Sequence, residues 1–166
     1  SLLQTGKYKF ISFGGAIKHE NYQPVHVNDY GDDWVIYPVD GYGTQDTVRS
    51  LIRNEKPDIL WFMTDPRFWG WLWQMENEIR PLVPMVYYHV WDNFPYPLYN
   101  KSMYDSNDVI VTISKVTDEI IKNVSPTVER IYHPHAVDTN TFKKLSSLEL
   151  EKVKNTYFKD YNKDKF

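Results

Sequence analysis

The chain has 166 residues, 42% of them hydrophobic and 25% charged, with a formal net charge of -3. That profile fits one globular domain and argues against broad binding to nucleic-acid backbones, which needs a basic face. The absence of cysteine excludes disulfides and thiolate metal sites and fits a reducing, cytoplasmic setting. No apolar run nears the roughly 20 residues of a membrane helix, and no secretory signal is read at the start.

Alternating strand-like and helix-like runs predict a parallel sheet with covering helices. Leu2 to Gly6 reads as a helix end capped by Gly6. Residues 8–13 form the first predicted strand, closed by Gly14 and Gly15. Residues 18–33 are polar and turn-rich, and 34–39 give the next strand. Thr44 can cap a helix that aligns Val48, Leu51 and Ile52 and ends at Pro57. The nearly all-apolar run 58–63 predicts a strand buried on both sides. Asp65 and Pro66 open a helix with Phe68, Leu72, Met75 and Ile79 on one face, ended by Pro81 and Pro84. Residues 85–90 predict another buried strand, followed by an aromatic, proline-rich loop over 91–99. A strand over 108–113 leads to a helix capped by Ser114, with Val116, Ile120 and Val124 inward. Residues 128–132 form the last strand, and 146–157 a charged amphipathic helix.

In open parallel sheets, ligands bind beyond the carboxyl ends of the strands. There the chain carries Gly14-Gly15, Asp40-Gly41-Tyr42-Gly43, Thr64-Asp65, His89 through Asn93, Ser114, and His133 to Asp138. These segments are richer in glycine and hydrogen-bonding side chains than the strand starts at Lys7, Asp58, Met85 and Asp108. His89 leaves a buried strand, where rigid backbone can hold it against a ligand hydroxyl or a developing charge. The competing reading is a core histidine satisfied by a backbone carbonyl, with Asp92 capping the next turn. Asp65 reads first as a helix cap, a role compatible with ligand binding. His133 and His135 alternate in an extended segment, which argues against a shared metal, and no HxxxH or HExxH spacing occurs. Aromatic residues make up 16% of the chain. The run from Phe68 to Trp73 is wider than one core stripe, so it serves packing, with a surplus for a partner or a sugar.

The segment His133-Pro134-His135-Ala136-Val137-Asp138, followed by Thr139 to Phe142, resembles the Pro-Asn/His-Gly-Val-Asp-x-x-x-Phe signature of family 4-type glycosyltransferases with GT-B architecture. Five further stations are similar to that family, in order. They are Leu3 to Tyr8, Asp40-Gly41-Tyr42-Gly43 before a helix, Lys56-Pro57-Asp58-Ile59-Leu60, Pro84 to His89, and Asp108 to Ser114. Ala136 departs from the pattern, since the family carries glycine there.

The resemblance implies an α/β fold. It would be a Rossmann-like parallel sheet with helices on both faces, the GT-B N-terminal half, lacking its first strand. Residues 1–142 would form the acceptor-side domain and 143–166 a linker helix toward a missing C-terminal donor-binding domain. Residues 163–166 would approach that domain's first strand. The implied reaction is transfer of a sugar from a nucleotide-sugar donor with retention, independent of metal and of any further cofactor. The acceptor would be a glycan, lipid or protein, and the fragment alone would be inactive. His89 would assist at the reacting sugar. Gly14, Gly15, Tyr42, Asp65, Trp91, Asp92, Ser114 and His135 would line the substrate cleft. A non-catalytic carbohydrate- or protein-binding domain using its exposed aromatics is the alternative reading.

Overall fold

The computed structural model describes residues 2–15 and 17–158. It divides between Pro134 and His135 into two units, which are described separately. In chain order the first unit runs β1 (Phe10–Gly14), β2 (Val25–Val27), β3 (Gly31–Pro38), α1 (Gln45–Glu55), β4 (Leu60–Met63), α2 (Gly70–Trp73), α3 (Glu76–Ile79), β5 (Met85–His89), α4 (Lys101–Asp105), β6 (Val109–Thr112), α5 (Lys115–Val124) and β7 (Glu129–Tyr132).

The strands β4-β5-β6-β7 form an all-parallel sheet in that order. Each crossover passes through helix or helical turns, as parallel pairing requires. The fold is therefore α/β, with a four-stranded parallel sheet flanked by helices as in Rossmann-like proteins. The register places Phe62, Tyr87 and Ile110 side by side. On this face lies one buried cluster, to which α1 gives Val48, α2 Leu72 and Trp73, α3 Ile79 together with Met75 just ahead of it, α4 Tyr104, and α5 Ile120, Ile121 and Val124. Helices on both faces were expected, but the helices of this unit put their buried residues on this one.

Local chemistry accounts for the element ends. The Thr44 hydroxyl accepts from Thr47 N at 3.2 Å to start α1. Ser114 and Thr117 form a reciprocal capping box on α5, so Ser114→Ala should destabilise the chain by about 1 kcal/mol, measurable by urea denaturation. Asp108 fixes the start of β5, accepting from Met85 N at 2.8 Å and from Arg80 Nε at 3.1 Å.

Several expectations are corrected. The predicted single sheet is two, because β1 pairs with β3 and β3 with β2, while none of these pairs with β4. The stretch 18–33 contains β2, a three-residue antiparallel strand whose register shifts at His26 and Val27. Strand 58–63 is buried on one side only: Phe62 is in the core, but Trp61 and Met63 are 54% and 50% exposed. The helix after Pro66 breaks into a 3-10 turn, α2 and α3, which leaves Phe68 exposed. In α5 the inward stripe is Thr117, Ile120, Ile121 and Val124, so Val116 lies outside it and is exposed. Short α4 lay in a segment with no predicted element.

In the second unit, Asp138 organises a tight turn. Its carboxylate accepts from Asn140 N and from the Thr141 hydroxyl, both at 2.9 Å. These donors, the Asn140 amide first, hold its pKa below the ordinary carboxylate value. Helix α6 (Ser147–Tyr157) follows, started by a capping box between Ser146 and Glu149. Residues 163–166 lie outside the described residues. No helix of the described residues is long and apolar enough to cross a membrane.

Candidate functional site at the carboxyl ends of the strands

β4 ends at a strained residue. Thr64 has φ 147°, in a region that L-residues rarely occupy and that costs on the order of 1–3 kcal/mol. The Tyr87 hydroxyl, from the centre of β5, donates to Thr64 O at 2.7 Å and holds it there. The next residue, Asp65, is thereby aimed at the space beyond the sheet. Its Oδ1 accepts from Arg67 N at 2.9 Å and from Arg67 Nε at 3.0 Å, which makes it the predicted cap of the turn at Pro66–Phe68.

Beside Asp65 opens a cavity of about 460 Å³, within the rough 300–1,000 Å³ range of small-molecule sites. Its wall has an acidic part, Asp65 and Asp92, an aromatic part, Trp91 and Tyr99, and an amide part, Asn93 and Asn100. Arg67 also lines it, bound to Asp65. Trp91 is fixed by donation from its indole Nε1 to Asn93 O at 3.2 Å, and Tyr99 meets it edge-on at 6.1 Å. Carboxylates and amides of this kind pair with hydroxyl groups, and the aromatic wall suits the C–H face of a sugar ring.

Behind the amide part stands His89, the last residue of β5, which is fully buried. Its Nε2 lies 2.9 Å from the Tyr104 hydroxyl, which also receives the Asn100 side-chain N–H at 3.2 Å. With that oxygen accepting from Asn100, the Tyr104 proton goes to His89 Nε2, because otherwise a buried hydroxyl proton has no acceptor. His89 then carries its own proton on Nδ1, and Nδ1 has no protein partner. Burial lowers the His89 pKa from 6.5 to about 3 and raises those of Tyr87 and Tyr104. All three rings, packed edge to face, are neutral near pH 7. His89 thus offers an N–H dipole and not a cation. It is a core histidine, as the competing reading has it, but its partner is the Tyr104 hydroxyl and not a backbone carbonyl.

The remaining predicted residues lie elsewhere. Tyr42 stacks on Phe68 at 4.7 Å and meets Trp69 edge-on at 5.6 Å, joining the loop after β3 to the turn after β4. Gly14 ends β1 and Gly15 follows it. A Cβ on Gly15 would stand 2.1 Å from Gly41 O, so this glycine permits a close backbone approach. Gly15→Ala should cost about 1–3 kcal/mol in unfolding free energy. Ser114 is occupied as a helix cap, and His135 belongs to the second unit. The tryptophan run is packing: Trp73 is buried, and Trp69 and Trp71 rest against the core. Among the described residues, no three His, Asp or Glu side chains group as metal ligands. Sequence reasoning passed over Arg67, Asn100 and Tyr104, although Tyr104 is central to the site. Its only signal was a tyrosine in a short segment ahead of a strand.

The class defined at this point is an α/β protein with a polar, aromatic-walled cavity at the carboxyl edge of a parallel sheet. Comparison with family models, with curated proteins and with solved structures returned no match.

Proposed function

We propose that this chain supplies the acceptor side of a retaining glycosyltransferase that uses a nucleotide-sugar donor. The observation that carries the reading is the cavity where Asp65, Asp92, Trp91 and the asparagine amides converge, backed by a neutral histidine with an unused Nδ1. In this reading the carboxylates accept hydroxyls of the acceptor, and Trp91 with Tyr99 packs against its ring. The His89 N–H stabilises negative charge that develops near the reacting centre, as buried, preorganised dipoles do. The donor nucleotide is held by a second domain, and the protein works in the cytoplasm without a membrane span.

The test is a transfer assay on the complete gene product with a panel of nucleotide sugars and glycan, lipid and peptide acceptors, with anomeric configuration read by NMR. His89→Ala should lower kcat by about 100-fold with little change in KM. Binding of glycans without any turnover would favour the non-catalytic carbohydrate-binding reading. Unchanged kcat in His89→Ala would remove that residue from the mechanism.

A further inference from the structure

The strand β1 is hydrogen-bonded to β3 on one side and to no described strand on the other, and β4 is paired only with β5. Natural edge strands are blunted by charges, prolines or bulges. Phe10–Gly14 and Leu60–Met63 have none of these protections within their spans. Both free edges are flanked by exposed apolar side chains, Phe10 on β1 and Trp61 and Met63 on β4.

The same helix lies over both sheets. The Glu55 carboxylate of α1 accepts from the Tyr37 hydroxyl of β3 at 2.6 Å and pairs with Lys9, just ahead of β1, at 3.8 Å. Val48 of α1 shares the buried cluster with Phe62 of β4. Stacking of Tyr42 on Phe68 brings the carboxyl ends of β3 and β4 together. The two sheets therefore run in the same direction, each with a parallel strand at its free edge.

What precedes β1 indicates the occupant. Leu2 has helical backbone angles (φ -61°, ψ -36°), and Leu3–Thr5 is a helical turn. Gly6 is left-handed at φ 64°, with its N–H returned to Leu3 O. A left-handed glycine with this returned N–H is the geometry that closes helices. A helix that runs into a parallel strand is the second half of a strand–helix–strand crossover. The β3 side of β1 is taken, so only its free edge is open to the crossover's first strand. Sequential strands β4 to β7 advance in one direction with their helices on the Phe62 face. A step to β1 from a slot between the free edges of β1 and β4 advances the opposite way, so right-handedness places its helix on the Trp61 and Met63 face. The slot is then the switch point of a doubly wound sheet.

We propose that one more parallel strand, followed by a helix and carried by polypeptide directly N-terminal to Leu2, fills the space between β1 and β4 and merges the two sheets. This does not depend on the glycosyltransferase reading. Because the chain lacks cysteine, Met63→Cys and Tyr157→Cys each give a single thiol, at the β4 face and at an exposed position of α6. Iodoacetamide alkylation is compared in the 166-residue chain and in the product that includes the in-frame codons ahead of it. Hydrogen exchange is followed on both unsubstituted proteins. The expected result is at least about a 10-fold slowing at position 63 with position 157 unchanged, and new protection of amides 10–14 and 60–63. Equal rates and exchange would overturn the proposal, as would a gene with no codons ahead of residue 1. A 166-residue dimer whose edges are already protected would also overturn it, placing a second copy in the slot.

Discussion

Between pH 6.5 and about pH 5 the chain is expected to lose stability at a slope approaching 1.4 kcal/mol per pH unit, and His89→Asn is expected to abolish most of that slope. Burial lowers the folded-state pKa of His89 to about 3, against 6.5 for a free histidine. The unfolded chain therefore binds a proton in this window that the folded chain does not. A base with a depressed folded pKa contributes its stability above the unfolded value, and that contribution is lost as pH falls from 6.5 toward 3. Exposed carboxylates contribute with the same sign but in a lower window. The pKa values of Glu78, Asp138 and Glu149 are lowered by Arg49, Asn140 and Ser146 from reference values of 4.5, 3.8 and 4.5. Urea denaturation at half-unit pH steps separates the two windows. His89→Asn lowers stability at every pH, since Tyr104 loses its acceptor, so the diagnostic quantity is the slope between pH 6.5 and 5. A variant that keeps the slope would show that His89 is not the group responsible.

Trp73→Ala is the second large effect, expected to cost about 3–5 kcal/mol. The indole is buried against Phe62 at 5.8 Å and Tyr87 at 5.3 Å. Its Nε1 donates to Asn107 Oδ1 at 3.0 Å, while the Asn107 amide nitrogen donates to Met103 O and Tyr104 O at 2.8 and 3.0 Å. One side chain therefore ties α2 to α4, and α4 carries the tyrosine that fixes His89. Trp73→Phe keeps much of the ring and loses the N–H, leaving Asn107 Oδ1 unpaired at about 1–3 kcal/mol. A midpoint shift in urea with an unchanged m-value measures both variants. If Trp73→Ala costs under about 1 kcal/mol, the cluster closes around the cavity and the packing account is wrong.

Much of the fold was legible because period and punctuation agree. The apolar runs 58–63 and 85–90 became β4 and β5, each shorter than expected, and Thr44, Asp65 and Ser114 cap where their residue types suggested. What was missed depends on long-range pairing. Nothing local in residues 58–63 shows that β4 lacks a partner on one side, and so Trp61 and Met63 were read as buried. The short strand Val25–Val27 exists only through its pairing with β3, and three residues carry too little pattern to announce it. Asp65, Trp91 and Asp92, named for their places just beyond strand ends, line the cavity. Asn100 and Tyr104 come together with His89 only through the returning turn Leu98–Asn100 and α4, a geometry that spacing does not encode. Gly15 permits a close backbone approach and Ser114 caps α5.

The central claim is that the cavity beside Asp65 and Trp91 is a carbohydrate site, and side-chain NMR of the chain titrated with simple glycosides tests it most directly. The account predicts shifts at the Trp91 indole N–H and at the Asn93 and Asn100 amides, weakened in Asp65→Asn and Asp92→Asn. Those resonances staying still while glycosides are raised through the millimolar range, or shifts confined to residues away from the cavity, would contradict it.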